Sequence, residues 1–589
     1  MSPAAQTLWA ELLAATLADA GVATCVISPG SRSTPLVAAL ARDGRCALPS
    51  IIDERAAAFF ALGIARATGK PAAIVCTSGS AAAHYLPAIV EASAAGIPLV
   101  AITADRPPEL QACGATQTID QIGIYGGFVR GALDLGAPIA SVAALRALRR
   151  KVAQAVQLAR GPVPGPVHLE VPLRKPLEPS APATADELAA AVVVAELRGS
   201  DVVTAPPRLE ADDATLVMLA EAIAREPDGI VIAGALPGSA VAAREPLFAL
   251  CARAGYPLLA EAGSQLRFAA RPAGVTAVDR FDIVLAAPRL AGARAPKLVI
   301  QLGAEPVGAG WITARPQLAG AARWVLAGPQ YRDPDSSAAA VIVGEVAPAL
   351  ARVVAQLGEP HGERTSFPAT WRDAERRAAA ALDRTIDEHA GNEAAALRAA
   401  LAAAPPHAIV QIGNSLPIRV VDQACAGGAP RTVIVQRGAA GIDGLVASAA
   451  GATGAGVPVL LVLGDVSFAH DVGGLLAARE ATAPLAIVVL DNGGGRIFDG
   501  LPVARAGLGA AFERHFITPP DLDPAAIARA FGARGVTAAG PAELGRAVED
   551  ALAIAGATVI HAPCSRSGAH DVRRHAIELV AIELGASHD

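Results

Sequence analysis

Short runs of uninterrupted apolar residues alternate along the chain with longer stretches whose apolar residues return every three or four positions. The first pattern predicts strands buried on both faces, the second helices with one covered side. In the first third the strand-like runs are 22–28, 72–77, 98–104 and 167–171. Pro29-Gly30 closes the first run, a helix over 54–68 opens after Asp53, and Ser78-Gly79-Ser80 turns into a helix over 81–95. This strand–helix–strand rhythm implies a parallel sheet with helices on both faces. Ahead of it, Leu8, Leu12, Leu13 and Leu17 fall near one face of an amphipathic N-terminal helix.

A Pro- and Ala-rich stretch over 176–207 reads as an interdomain linker. Beyond it, 229–233, 256–260 and 298–302 predict a second set of strands, and a charged helix over 371–389 predicts a crossover. The rhythm then returns with strands at 408–412, 432–436, 457–463, 485–490 and 558–561. The expectation is an α/β protein of three doubly wound parallel-sheet domains, at 1–180, 206–358 and 385–589. A length of 589 residues accommodates three.

Composition narrows the function classes. Apolar residues make up 53% and charged residues 18%, which excludes a disordered chain. Aromatic residues are only 3%, so the core is built from Ala, Val, Leu and Ile. With 49 basic against 55 acidic residues the net charge is −6, and no basic tract offers a nucleic-acid footprint. No apolar run is long enough to cross a membrane. The seven cysteines show no CxxC and no zinc spacing, which fits a reducing cytoplasm.

In doubly wound sheets ligands sit beyond the carboxyl ends of the strands. There, Gly464-Asp465-Val466-Ser467 ends one predicted strand and Asp491-Asn492-Gly493-Gly494-Gly495 ends the next, with a single helix expected between them. Taken singly, Asp465 reads as a helix cap and Asn492 as a turn residue. One strand–helix–strand unit apart, they emerge at the same sheet edge. A carboxylate, an amide oxygen and a backbone carbonyl are hard ligands suited to Mg²⁺, whose remaining positions go to water and phosphate oxygens. The glycines let backbone approach a phosphate closely.

These segments resemble the metal–diphosphate motif of thiamine-diphosphate enzymes, Gly-Asp-Gly followed by Asn-Asn, with Val466 and Asp491 as departures. The stretches 53–57, 63–70 and 77–80 look like the pyrimidine-binding domain of the same superfamily. Longer matches narrow the resemblance to the 2-succinyl-5-enolpyruvyl-6-hydroxy-3-cyclohexene-1-carboxylate synthases of menaquinone biosynthesis. They are Ile27-Ser28-Pro29-Gly30-Ser31-Arg32-Ser33-Thr34-Pro35-Leu36, 103–110, 113–117, 412–419, 436–444 and 497–502. The likeness runs from about residue 5 to 580 and is thin in the middle.

That resemblance implies a pyruvate decarboxylase-like architecture: a pyrimidine-binding domain, a central domain without cofactor and a diphosphate-binding domain. The cofactors implied are thiamine diphosphate and Mg²⁺ or Mn²⁺. The reaction implied is decarboxylation of 2-oxoglutarate and conjugate addition of the four-carbon carbanion to isochorismate. Glu54 is the implied catalytic carboxyl, bonding the aminopyrimidine and favouring its imino form. Asp465, Asn492 and the Gly494 carbonyl are the implied metal ligands. Ser415 and Ser467 are implied diphosphate donors, and Ile442 the wedge that bends the cofactor. Ser31, Arg32, Arg106 and Gln117 are expected to face isochorismate. Ser415 and Arg419 hold the distal carboxylate from 2-oxoglutarate, Arg437 serves either substrate, and Ile497 and Phe498 form an apolar wall.

Two polyanionic substrates call for guanidinium forks. Arg55 and Arg66 are read as structural, as are His84, His470 and His570. Thr116 stands where the family often has Asn. Basic residues common in relatives are missing around Gly308, with Arg315 as the candidate substitute. A homodimer is implied, and a dimer of dimers, without nucleic-acid or membrane partners. The competing readings are another thiamine-diphosphate carboligase or decarboxylase, and a non-catalytic relative acting as a binding protein.

Overall fold

Strands that are apolar on both faces require cover on both sides, and the fold supplies it three times over. The computed structural model describes residues 3–200, 204–287, 294–358 and 365–585. The chain forms two compact units. The first comprises residues 1–208, 436–456 and 471–483, the second 209–435, 457–470 and 484–589.

The first unit holds a five-stranded sheet, with strands β1 (Cys25–Ile27), β2 (Ala72–Cys76), β3 (Leu99–Asp105), β4 (Ala132–Asp134) and β5 (Pro166–Pro172). Their order is β1-β2-β3-β5-β4 and all pairs are parallel. Every residue of β2, β3 and β5 is buried.

The N-terminal helix Pro3–Asp19 is buried nearly all round, not on one face. Trp9, Ala10 and Ala14 are covered as fully as Leu8, Leu12, Leu13 and Leu17, because helices Thr34–Asp43, Val142–Arg160 and Ala185–Arg198 pack around it. The last of these overturns the linker reading of 176–207. Thr184 accepts from the Glu187 N–H while the Glu187 carboxylate accepts from the Thr184 N–H, a capping box that starts the helix. Ala190 and Val194 bury its inner face.

Helix Glu54–Thr68 lies against helix Leu445–Ala452 at backbone distance. A Cβ on Gly63 would fall 1.9 Å from the Ser448 carbonyl oxygen, and one on Gly451 1.9 Å from that of Phe60. Only glycine permits this approach.

The second unit holds two sheets. One contains β6 (Gly229–Ala233), β7 (Leu258–Ala260), β8 (Leu298–Leu302), β9 (Ala322–Gly328) and β10 (Ala340–Val343), in the order β10-β9-β8-β6-β7. The other contains β11 (Ile409–Ile412), β12 (Thr432–Val435), β13 (Val459–Gly464), β14 (Leu485–Asp491), β15 (Arg534–Thr537) and β16 (Ala557–Pro563), in the order β12-β11-β13-β14-β16-β15. All pairs in both are parallel.

One apolar core runs through both sheets of this unit. Buried ion pairs and charge-assisted bonds tie them. The Arg267 side chain donates to the carbonyls of Ala260, Asp422 and Cys425. Asp282 accepts from Gln423 at 3.0 Å and from Arg573 at 2.9 Å.

The single helix expected after Asp465 is broken into Asp465–His470, Gly474–Ala477 and a 3-10 turn, Ala478–Glu480. Asp471 diverts the chain. Its carboxylate accepts the N–H groups of Val446 and Ala447 at 2.8 and 3.0 Å, so it caps helix Leu445–Ala452. Burial pushes its pKa up to about 6. Gly473-Gly474 follow and let the turn form. No helix among the described residues is long and apolar enough to cross a membrane.

The glycine contact makes a stability prediction. Gly63→Ala or Gly451→Ala should cost about 1–3 kcal/mol, seen as a lowered thermal midpoint. Gly454→Ala, whose methyl would meet Ile64 at 3.4 Å, should stay within about 0.5 kcal/mol of the parent.

Candidate active site

The candidate residues divide between the units. Ser31, Arg32, Glu54, Arg106, Gln117, Arg437 and Ile442 lie in the first. Ser415, Arg419, Asp465, Ser467, Asn492, Gly494, Ile497 and Phe498 lie in the second.

In the first unit, the loops leaving β1 and β3 converge on a cavity of about 650 Å³. Ser31, Arg32, Arg106, Thr116 and Gln117 line it together with Glu109, Arg174 and Lys175. Arg32 is buried. Its Nη1 donates to the Leu173 carbonyl at 2.8 Å, and its Nε has no partner. Burial, with the Arg106 guanidinium behind it, holds its pKa below the usual guanidinium value. Arg106 donates to the Ser78 hydroxyl and, at 3.0 Å, to the Thr116 carbonyl. Gln117, at φ 55°, donates to the Ser78 carbonyl at 3.1 Å. Two guanidiniums in one cavity, with the Arg32 Nε unpartnered, could receive an anion. Beneath them, burial pushes the Asp105 carboxyl up to about 6.

Glu54 is the first residue of its helix, after the N-cap Asp53, whose carboxylate accepts the Ala56 N–H at 3.2 Å. The position suits a carboxylate, since the helix N-terminus carries partial positive charge. Burial, with the Glu54 charge as a smaller contributor, keeps the neighbouring Cys76 thiol protonated.

Arg437 and Ile442 sit on the loop that precedes helix Leu445–Ala452. Glu91, which carried no sequence signal, holds that loop. Its carboxylate accepts the N–H groups of Gly438 and Ala439 at 3.0 and 2.7 Å and pairs with Arg66 at 2.7 Å. Arg66 is structural, as expected. Gln436 donates to the carbonyls of Gly441 and Asp443 and folds the loop back on itself.

In the second unit, Ser415 adopts a strained φ of 70° at the start of helix Leu416–Ala424, and Arg419 one turn on donates to its carbonyl at 2.8 Å. Such strain in a non-glycine residue clusters at functional sites. Asp465 leaves the end of β13 and Asn492 the end of the adjacent β14. The two Asp465 oxygens accept the N–H groups of Val466 and Gly494 at 2.8 and 2.6 Å. Gly494 needs its φ of 122°, and a Cβ there would meet the Ile517 carbonyl oxygen at 2.5 Å. Burial, with Asp491 adding charge, pushes Asp465 up to about 6.

Asn492 donates its amide N–H to Glu393 at 2.9 Å, which leaves its buried Oδ1 without a partner. A carboxylate that gains from a nearby cation and an orphaned amide oxygen fit a divalent metal. Among the described residues no cluster of three or more His, Cys, Asp or Glu side chains is arranged for one. The Gly494 carbonyl, the third candidate ligand, accepts the Arg496 N–H at 2.8 Å and keeps a second lone pair. Asp491, the departure from Asn, has His561 Nε2 at 2.9 Å from its carboxylate. Ser467 is buried on the short helix that Asp465 opens.

Ile497 and Phe498 lie half-buried on the 3-10 turn Arg496–Gly500, and Phe498 meets Phe516 edge-on at 5.6 Å. His570 donates its Nε2–H to the Arg496 carbonyl at 2.6 Å, a structural contact, while His84 and His470 are exposed. Arg315 is engaged by Glu305 and Asp335, both at 2.5 Å.

Sequence reasoning missed Glu91, Glu393, His561, Arg174 and Lys175. Only Glu393 left a trace, as an acidic residue opening a helix after Asn392.

Comparison with known proteins gives this geometry a family. Residues 9–124 match the N-terminal and residues 419–562 the C-terminal thiamine pyrophosphate-binding domain of thiamine pyrophosphate enzymes. The chain is 43% identical to a 2-succinyl-5-enolpyruvyl-6-hydroxy-3-cyclohexene-1-carboxylate synthase of Sorangium cellulosum, over 94% of this chain and 92% of that protein. It is 38% identical to a synthase of the same name from Geobacillus kaustophilus, over 97% of each. Benzoylformate decarboxylase from Polynucleobacter necessarius superposes with a TM-score of 0.69 at 16% identity, covering 95% of this chain and 98% of that one, so the fold is shared. With near-full-length identity at this level, the chain belongs to the 2-succinyl-5-enolpyruvyl-6-hydroxy-3-cyclohexene-1-carboxylate synthase family of thiamine-diphosphate enzymes.

Proposed function

We propose that this chain, with thiamine diphosphate and a divalent metal, Mg²⁺ or Mn²⁺, decarboxylates 2-oxoglutarate and adds the remaining four-carbon unit to isochorismate. The product is 2-succinyl-5-enolpyruvyl-6-hydroxy-3-cyclohexene-1-carboxylate, an intermediate on the way to menaquinone. The observation that carries the reading is the cavity in which Ser31, Arg32, Arg106 and Gln117 come together. A decarboxylase acting on an uncharged acceptor has no use for two adjacent guanidiniums there.

Bound thiamine diphosphate supplies the nucleophilic carbon and the electron sink that decarboxylation of a 2-oxoacid requires. The residues of the chain do the rest. Glu54 holds a proton at the pyrimidine ring nitrogen. Asp465, Asn492 and the Gly494 carbonyl hold the metal, and the Ser415 and Ser467 hydroxyls donate to the diphosphate. Ile442 would pack against the cofactor as an apolar support. Ser415 and Arg419 fix the distal carboxylate of 2-oxoglutarate, while Arg32, Arg106, Ser31 and Gln117 orient isochorismate for attack. Arg437 sits on its Glu91-anchored loop as a further cation for either substrate. Ile497 and Phe498 keep water from the reacting carbon.

In this reading residues 1–180, 206–358 and 385–589 are the pyrimidine-binding, central and diphosphate-binding domains. The active unit is a homodimer, assembled further into a dimer of dimers, with each cofactor shared between two copies. All seven cysteines are free, in keeping with the cytoplasm.

Incubation with thiamine diphosphate, Mg²⁺, 2-oxoglutarate and isochorismate should consume isochorismate absorbance. Turnover of 2-oxoglutarate with another acceptor but not with isochorismate would overturn the assignment, and no turnover of either would favour a binding protein. Glu54→Gln should still bind thiamine diphosphate by calorimetry yet lose at least about 100-fold in rate. Asp465→Ala, or chelation of the parent by EDTA, should abolish thiamine-diphosphate binding itself. Co-expressed Glu54→Gln and Asp465→Ala chains should recover part of the parental activity, because some mixed dimers then carry one intact site.

A further inference from the structure

The cavity of the first unit carries more positive charge than one carboxylate requires. Four cationic side chains line it, Arg32, Arg106, Arg174 and Lys175, against one acid, Glu109. The cations differ in what they bond. Arg32 and Arg106 are fastened to backbone and hydroxyl groups of the cavity wall. Arg174 presents its fork to a carboxylate: Nε lies 2.5 Å and Nη2 2.7 Å from the two Glu109 oxygens.

Two features make this pair exchangeable. Its side chains are 33% and 51% exposed, and an ion pair so open to water contributes little to stability. The base of Arg174 is fixed independently. Its N–H donates to Gln6 Oε1 at 3.0 Å, and Gln6 Nε2 donates to its carbonyl at 3.1 Å. The stem is anchored while the tip holds a carboxylate that another can replace with the same two hydrogen bonds. The Arg174 contact also holds the Glu109 carboxyl below its usual range, so Glu109 stays ionised across the working pH.

We propose that Arg174, with exposed Lys175 beside it, holds the second carboxylate of the dicarboxylate acceptor, and that Glu109 occupies the Arg174 fork until that carboxylate displaces it. This rests on the functional reading above, in which Arg32 and Arg106 take the first carboxylate. Glu109 is then an internal competitor. It keeps the fork aligned and raises the concentration at which the acceptor binds.

Steady-state kinetics with each substrate varied tests this. Arg174→Ala should raise the KM for isochorismate roughly tenfold or more and leave the KM for 2-oxoglutarate in place. Glu109→Ala should move the isochorismate KM the opposite way, downward, and should have no effect once Arg174 is absent. A structural ion pair would shift both variants in the same direction. That result overturns the inference, as does an unchanged isochorismate KM in Arg174→Ala. If the parent chain consumes no isochorismate at all, the functional reading falls and the inference with it.

Discussion

The register of β13 on β14 decides what chemistry the third sheet can offer. The two strands pair in parallel with Gly464 opposite Leu490, so both leave the sheet at one edge and deliver Asp465 and Asn492 side by side. A slip of one residue would send every side chain to the opposite face. The core forbids that slip: residues from Val459 to Leu463 and from Leu485 to Val489 are all fully buried, and burying one such side chain is worth about 1.5–3 kcal/mol. The accuracy of the oxygen cluster is therefore borrowed from apolar packing that has no chemistry of its own.

Few ionic groups are spread over this chain, yet several are buried, and they occur where distant segments must be joined. Asp471 caps a helix whose sequence lies before it. Glu91 bonds to Gly438 across 347 positions. Arg267 crosses from one sheet of its unit to the segment between β11 and β12 of the other. A buried charge without its partner costs several kcal/mol, roughly 3–5, so each of these contacts forbids alternative arrangements more than it adds stability. A core of small aliphatic side chains, uniform in shape, leaves much of that discrimination to polar groups.

Much of this was legible in the sequence. Most strands were, because a parallel sheet covered on both faces writes itself as apolar runs, though β4, β9, β10 and β15 were not; so were the residues at the ends of β13 and β14, because Gly464-Asp465 and Asp491-Asn492 are contiguous with the strands that place them. Composition misled at 176–207, where Ala and Pro suggest a linker, while the four residues from Thr184 to Glu187 encode a helix start. The segment after Asp465 misled for the opposite reason. Its apolar residues keep helical spacing, but Asp471 is drawn to another helix and the path breaks. The roles of Glu393 and Arg174 were not legible, since each matters through a partner 99 or 65 positions away and no local pattern records such a distance.

The Glu91 contact bears on how Arg437 can act. Its carboxylate, itself buried, is shared among one guanidinium and two backbone N–H groups, so the loop cannot swing away without giving up charge-assisted bonds. Arg437 is consequently a fixed post. Ordering the loop was settled when the chain folded, and a ligand that met Arg437 would lose its own freedom but not the loop's.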